Sequence, residues 1–279
     1  CCCCCNMGFV AVATIAHAWP IAAACATATI PTIIYYYMTR HRRKINKLIA
    51  RSTSLHAKQA YELSLVAAHE AFKVASEKLP YTELTEKALM HLAGVYAAQD
   101  RPSDALEHLD TALEMATERH GAESLALVPI LHTRAEVFEA AEDQPMALAA
   151  SALARARDIR RTVLGENSLD AARASYNLAS LLVRGSQESG LDAKRHASLI
   201  ERAELLTLEA CSVAVAGGEP EEGADFAGEV LQTLSEDPYG PEDKEFAPVE
   251  AAMMKLRDAY LEAAGVEWEA GAAADCEGS

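Results

Sequence analysis

The sequence predicts an all-α fold in which one N-terminal transmembrane helix precedes a solenoid of antiparallel helix pairs. Two observations lead to this prediction. Residues 1–39 contain no Asp, Glu, Lys or Arg. From about Leu55 onwards, apolar residues recur at spacings of three and four, which is the period of amphipathic helices. Self-similarity within that helical region indicates stacked repeats; an unrelated helical bundle is the alternative.

Length and composition restrict the possible function classes. The chain has 279 residues, of which 51% are hydrophobic and 24% charged, with a formal net charge of -16. These values exclude collagen and wholesale disorder, and the negative charge argues against a nucleic-acid partner. Five of the eight cysteines are Cys1 to Cys5. Too few remain in the body to cross-link it, so we expect a reduced domain.

Residues 16–38 predict the membrane span. They belong to an apolar stretch that ends at Met38 and exceeds the roughly 20 residues needed to cross a bilayer. Trp19 and the Tyr35–Tyr37 triplet lie about 27 Å apart along a helix and mark the two interfaces. The many Ala and Thr residues favour close packing against integral membrane subunits. A cleaved secretory signal, the alternative, has a shorter apolar core and its positive charges in front.

A basic cluster follows the span at once. Cations of this kind stay on the negative side of the membrane and attract anionic lipid headgroups. We therefore expect the C-terminal body on the positive-inside face of the bilayer. The residues expected to contact headgroups are Arg40, Arg42, Arg43, Lys44 and Lys47.

These features divide the chain into five predicted segments. They are a Cys-rich tail (1–15), the transmembrane helix (16–38), a basic juxtamembrane segment (39–59), helical repeats (60–210) and acidic C-terminal helices with a tail (211–279). Residues 217–279 carry a net charge of -14, which is typical of a solvated face or of one that meets a basic partner. Helices are expected at 226–234 and 247–264, and several Gly and Pro residues, Gly223 among them, are interpreted as loop markers.

The helical region contains a repeating order of side-chain sizes. In residues 87–116 the order is large, large, small, aromatic in a first helix and small, large, small in a second. The positions are Leu89, Leu92, Ala93, Tyr96, Ala105, Leu109 and Ala112. A shift of 42 gives Leu131, Ala135, Phe138, Ala147 and Ala154, and a third unit has Leu178, Ala179, Leu182 and Ala203. The linkers HGAESLAL (120–127) and LGENSLDA (164–171) repeat at a spacing of 44.

This pattern resembles the tetratricopeptide repeat (TPR), specifically the kinesin-light-chain type with its Leu-Gly turn between units. The resemblance covers roughly residues 60–210 and is strongest over 152–182. It implies that the first helices line a groove in which a protein partner lies. The groove-facing candidates that it implies are Lys87, Met90, Gly94, His132, Glu136, Arg173, Tyr176 and Ser180.

No catalytic motif accompanies the repeats. The sequence has no phosphate-binding GxxxxGK[ST], no HExxH and no GxSxG, so we expect no enzyme activity and no cofactor. Cys1 to Cys5 are contiguous, whereas structural zinc sites space their cysteines two to four apart. We therefore predict no metal site, although a redox or metal-handling role for these five cysteines stays open as an alternative.

The layout of anchor followed by repeats favours an accessory or assembly subunit of a large organellar membrane complex. With the LAGVYAAQDR segment (92–101) it is similar to the mitochondrial inner-membrane TPR proteins that assist assembly of respiratory complex III. The chain begins at Cys1 rather than Met, which we expect to reflect either a fragment or a mature form from which a presequence was removed. A thylakoid or other organellar membrane is an alternative location. The alternative function is a receptor or adaptor whose groove binds soluble protein ligands reversibly.

Overall fold

A computed structural model describes residues 34–141, 146–187, 193–235, 247–263 and 265. Within these residues the chain forms ten α-helices, one short 3-10 turn and no β-strand, in agreement with the predicted all-α class. The helices are α1 (34–57), α2 (Tyr61–Lys78), α3 (Glu83–Ala97), α4 (Pro102–His120), α5 (Val128–Ala140), α6 (Met146–Leu164), α7 (Leu169–Ser186), α8 (Ala193–Ala216), α9 (Pro220–Ser235) and α10 (Ala247–Ala263). The 3-10 turn is Leu125–Leu127.

The predicted transmembrane helix falls almost wholly outside the described residues. Only its last part, residues 34–38, is described, and these residues belong to α1. Among the described residues, no helix combines the length and the apolar character needed to cross a membrane.

The first of two compact units extends to Val95. Helix α1 buries Ile45. This side chain belongs to an apolar cluster with Ala75 of α2, Leu79 just after α2, and Ala88 of α3. Two buried serines add a polar link between α1 and α2. Ser52 donates to the carbonyl of Ser64 at 2.9 Å, and Ser64 donates to the carbonyl of Ser52 at 2.9 Å. Because each hydroxyl finds an acceptor, neither is left unsatisfied inside the unit.

The second unit begins at Tyr96 and contains α4 to α10. Each helix from α4 onwards contacts the next, α7 also contacts α9, and α8 also contacts α10. This is the contact pattern of stacked helix pairs, in which first helices form one layer and second helices the other. The core runs through successive pairs and includes Phe138, Leu178, Leu182, Ile200 and Leu256.

The two repeated linkers adopt the same turn. Gly121 and Gly165 have φ of 89° and 92°, a left-handed conformation that glycine adopts without a steric penalty. Three residues later, Ser124 and Ser168 cap the following helical segment by accepting from the amides of Ala126 and Ala171. The shared Gly-x-x-Ser spacing therefore gives both linkers the same turn, in which glycine follows the end of one helix and serine caps the start of the next helical segment.

The predicted packing positions are confirmed in the first and third units and only partly in the second. All seven positions named for residues 87–116 are buried, and so are the four named for the third unit. In the second unit Leu131, Ala135 and Phe138 are buried, but Ala147 is exposed and Ala154 is half-buried. The prediction for that second helix is therefore wrong.

The error in the second unit has a simple cause. The buried residues of α6 include Ala149, Leu153 and Ala156, which correspond to Ala105, Leu109 and Ala112 at a shift of 44 rather than 42. Phe138 and Ala149 are 11 residues apart, whereas the corresponding Tyr96 and Ala105 are 9 apart, so two extra residues between these packed positions change the register of the second helix relative to the first. The spacing of 44 between the linkers reflects the same insertion.

The acidic end also differs from its prediction. The 210/211 boundary falls inside α8, and α9 begins at Pro220, so Gly223 lies within a helix rather than in a loop. Gly223 is buried against α8, where a Cβ would lie 3.2 Å from the carbonyl oxygen of Cys211. The glycine thus permits close approach of α8 and α9. Together α9 and α10 continue the stack as a further helix pair.

Candidate partner-binding surface

Helix α7 joins the first helices of the second unit through one polar face. Arg173, Tyr176, Ser180 and Arg184 follow one another along α7 at spacings of three and four, which places them on the same side of the helix. Three of them contact carboxylates of α5 or α9. We call this surface the first-helix face. Its residues are Glu139, Arg173, Tyr176, Arg184, Glu222 and Glu229.

On one side, α7 is bonded to α9. Arg173 donates to both carboxylate oxygens of Glu222, at 2.9 Å for Nη2 to Oε2, and these hydrogen bonds raise the pKa of Arg173. The Tyr176 hydroxyl donates to Glu229, and the Tyr176 ring stacks on Phe226 with the ring centroids 4.7 Å apart. Two residues predicted to bind a partner are therefore engaged by the acidic helix of the same chain.

On the other side, α7 is bonded to α5. The Arg184 Nε donates to Oε1 of Glu139 at 2.6 Å, and Nη2 donates to Oε2 at 3.2 Å. Arg184 also donates to the hydroxyl of Ser180 at 2.7 Å. The predicted residue Ser180 thus helps to hold the guanidinium in its forked geometry.

His132 and Glu136 precede Glu139 on α5 by seven and three residues, on the same side of that helix. His132 is half-buried, and Arg160 of α6 donates to its Nε2 at 3.2 Å. Burial, followed by the nearby Arg160, lowers the pKa of His132. The ring therefore serves as a neutral acceptor. Glu136 is exposed.

Lys87, Met90 and Gly94 belong to the first unit, where they follow one another along α3. Lys87 and Gly94 are exposed and Met90 is half-buried. The predicted groove residues are therefore divided between the two units, and only those of the second unit belong to the arrangement described above.

Carboxylates dominate the end of the first-helix face. A cavity of about 430 Å³ is lined by Tyr176, Phe226 and five carboxylates, Glu219, Glu221, Glu222, Asp225 and Glu229. Glu222 and Glu229 accept hydrogen bonds from α7, whereas Glu219, Glu221 and Asp225 have no ion-pair partner within the described residues. Free carboxylates beside stacked aromatic rings favour a cationic side chain of a partner.

Four residues of the first-helix face were not predicted. Arg184 lies one turn beyond Ser180, and Glu139 lies one turn beyond Glu136, so an extension of the same helical spacing would have included both. Glu222 and Glu229 carry no such signal. Their role follows from the packing of α9 beside α7, which the loop interpretation of Gly223 had obscured.

The predicted headgroup contacts lie on α1. Arg40, Arg42, Arg43 and Lys47 are exposed, whereas Lys44 pairs with Glu70 of α2 at 3.4 Å. The preceding turns expose Tyr35 and Tyr36, at 73% and 67%. Exposed cations and exposed aromatic rings are thus neighbours along α1.

Metal-binding side chains do not cluster in the part of the chain that the structure describes: no group of three His, Cys, Asp or Glu residues there is placed to hold an ion. Cys1 to Cys5 lie outside this part. The thiol that is described, Cys211, is buried and donates to the carbonyl of Gly223 at 3.1 Å.

Part of this chain is similar to a known repeat family, and several solved structures are similar to the chain at low sequence identity. Residues 84–151 match the tetratricopeptide repeat family. Among solved structures, BtubC (BKLC) from P. vanneervenii is 17% identical, with a TM-score of 0.46, over 74% of this chain and 93% of its own. The nearly identical TPR-like repeats of a Podosopora anserina chain described as a kinesin light chain are 13% identical, with a TM-score of 0.46, over 71% of this chain and 98% of their own.

The RpL4 assembly chaperone Acl4 is 16% identical, with a TM-score of 0.38, over 78% of this chain and 86% of its own. No curated protein matches the sequence. Residues 84–151 therefore share the sequence pattern of the tetratricopeptide repeat, and the described helices of the second unit stack in pairs as a helical repeat does.

Proposed function

We propose that this protein is a non-catalytic, membrane-anchored TPR scaffold that holds a protein partner on its first-helix face. It serves as an accessory or assembly subunit of a large organellar membrane complex, with the mitochondrial respiratory chain favoured. The TPR match over residues 84–151 supports the scaffold role. The charge-free N-terminal 39 residues and the basic cluster behind them support the anchor.

The observation that carries the proposal is the group of free carboxylates in the cavity at the end of the first-helix face. Glu219, Glu221 and Asp225 surround a cavity beside the Tyr176–Phe226 stack, and no cation within the described residues neutralises them. A partner segment rich in Lys or Arg matches this charge. Arg173 and Arg184 are engaged by carboxylates of the chain itself, so they are not available to attract an acidic partner.

The first test is mild-detergent extraction of native membranes, followed by size fractionation and mass spectrometry of the comigrating proteins. A resident subunit travels in fixed ratio with integral membrane proteins in a particle of hundreds of kilodaltons. Migration alone, or with a variable set of soluble proteins, contradicts the resident-subunit role and favours the receptor or adaptor.

A pair of variants tests the binding surface itself. Glu221→Lys combined with Asp225→Lys reverses two free charges of the acidic cavity at the end of the first-helix face. Glu114→Lys combined with Glu118→Lys is the matched control, because these residues have the same spacing of four and are exposed on α4. We expect only the first pair to release the comigrating partner. Equal retention by both pairs excludes this surface as the binding site.

A further inference from the structure

We propose that a second surface, over the outward side of α6, binds an amphipathic helix of a partner protein that carries acidic side chains beside an apolar stripe. This inference goes beyond the proposed function, because it uses second helices and requires a partner of opposite charge to the one that fits the first-helix face.

The surface is a trough of about 780 Å³. Its floor follows α6 from Ala147 to Thr162, which is about 22 Å of helix. One wall is formed by Ala122 and Glu123 before α5, and the other by Leu199 and Arg202 of α8. A floor of this length fits an elongated occupant better than a compact small molecule.

Small side chains make this floor suitable for a helix. Ala147, Ala150, Ser151 and Ala154 line it at positions i, i+3, i+4 and i+7 of α6, so they form one continuous strip. Side chains of this size let two helix backbones approach closely. The packed residues of α6, including Ala149 and Leu153, lie on its opposite side. The strip is therefore separate from the most deeply buried side of α6: Ala147 and Ser151 are exposed, whereas Ala150 and Ala154 are half-buried and pack against the edge of the core.

Two arginines define the charge of the occupant. Apart from Arg155 and Arg202, each arginine in the described part of the second unit makes a hydrogen bond, an ion pair or a ring contact. Arg155 and Arg202 are exposed without such a partner, although the chain has 41 acidic residues against 25 Lys and Arg. Both line the trough.

The two carboxylates of the trough do not cancel this positive charge. Asp158 is already paired with Arg157 at 2.9 Å, which leaves Glu123 on the far wall as the other acid. The side formed by α6 and α8 is therefore positive and unpaired. Acidic side chains beside the apolar stripe of a bound helix would form charge-assisted hydrogen bonds with the two guanidinium groups.

Selection from a phage-displayed library of helical peptides, with the full chain as target, tests this proposal. We expect the enriched peptides to carry Asp or Glu beside apolar residues at spacings of three and four. The affinity of the best peptide is then measured by fluorescence anisotropy against four proteins: the unchanged chain, Ser151→Trp, Ser212→Trp, and Arg155→Glu combined with Arg202→Glu.

Ser151→Trp fills the trough, and Ser212→Trp is its control. Both serines are exposed on helices of the second unit, and each donates to the carbonyl three residues earlier at 2.8 Å. We expect Ser151→Trp and the double arginine variant to weaken the affinity for the peptide about tenfold or more, which is typical when a residue central to an interface is lost. Ser212→Trp leaves the affinity unchanged. Circular dichroism melting confirms that all four proteins are folded.

Several outcomes overturn the proposal. These are no enriched peptide, enrichment without an acidic bias, or equal affinity for the unchanged chain and Ser151→Trp. Self-association of the chain that Ser151→Trp abolishes would make a second copy the occupant and also overturns it. Glu221→Lys with Asp225→Lys, measured in addition to these four proteins, must leave peptide binding intact, so failure at the trough is distinguished from failure at the first-helix face.

Discussion

Arg184 of α7 donates two parallel hydrogen bonds to the carboxylate of Glu139 in α5, which is 45 residues away in the sequence. Eleven residues earlier on the same helix, Arg173 donates two hydrogen bonds to the carboxylate of Glu222 in α9, with the same forked geometry. Helix α7 therefore holds both of its neighbours in the first-helix layer by arginine–carboxylate forks, and these forks fix which side chains of the face remain free for a partner.

The Arg184–Glu139 fork is expected to contribute modestly to stability. Its side chains are 46% and 33% exposed, so solvent screens much of the attraction, and a coupling of about 0.5 to 1 kcal/mol is expected. A double-mutant cycle of Arg184→Gln and Glu139→Gln, measured by urea unfolding, gives this coupling. Arg257→Gln with Asp258→Asn is the control, because that pair is more exposed. Additive single-variant effects for Arg184 and Glu139 would contradict the prediction.

The register of α6 can be tested with two alanines. Ala149 is fully buried, so Ala149→Leu must insert three carbon atoms into a packed core and should lower the unfolding free energy by about 1 to 3 kcal/mol. Ala147 is exposed, and Ala147→Leu should change that free energy by less than about 0.5 kcal/mol. Urea unfolding of both variants decides between a shift of 42 and one of 44, since the former predicts the larger loss at Ala147.

His132 gives the stability a specific pH dependence. Burial and Arg160 lower its pKa in the folded protein below the ordinary value of 6.5. Between the lowered pKa and 6.5, the unfolded chain binds more protons, so the unfolding free energy rises with pH in this window. Stability is therefore lost as the pH falls through 6.5.

His132→Gln keeps an acceptor for Arg160 but cannot take up a proton. We expect its unfolding free energy to decrease less than that of the unchanged chain between pH 7 and pH 5. His120→Gln is the control, since His120 is exposed at the end of α4. Parallel pH profiles for His132→Gln and the unchanged chain would exclude this role of His132.

Cys211 is expected to be chemically inert in the folded protein. Burial raises the pKa of its thiol to about 11, and its Sγ lies against the carbonyl of Gly223. The thiolate is the reactive form, so iodoacetamide at pH 8 should leave Cys211 unmodified in native buffer and modify it in urea. Peptide mass spectrometry gives the modified fraction directly. Modification at the same rate in both conditions would contradict the burial.

The spacing of side chains within a single helix, and within each linker, was predicted correctly from the sequence. Leu89, Leu92 and Ala93 are buried as expected, and the two linkers share glycine and serine geometry. The prediction was wrong at Ala147 because the length of a connection between helices leaves no trace in the periodicity of either helix. A register error of two residues places the predicted packing face about 200° around the helix from the observed one, since successive residues are about 100° apart.

The amino-acid order alone determined that this protein is helical, that its helices repeat, and that charge is absent from one end and strongly negative at the other. These properties follow from periodicity and composition, which act over a few turns of chain. Tertiary packing decided which of the polar residues are free. Arg173 and Tyr176 are engaged by α9 through carboxylates 49 and 53 residues away, whereas Arg155 and Arg202 have no partner among the residues that the structure describes. Contacts over such separations depend on how helices stack, and stacking is a property of the folded chain rather than of any one segment.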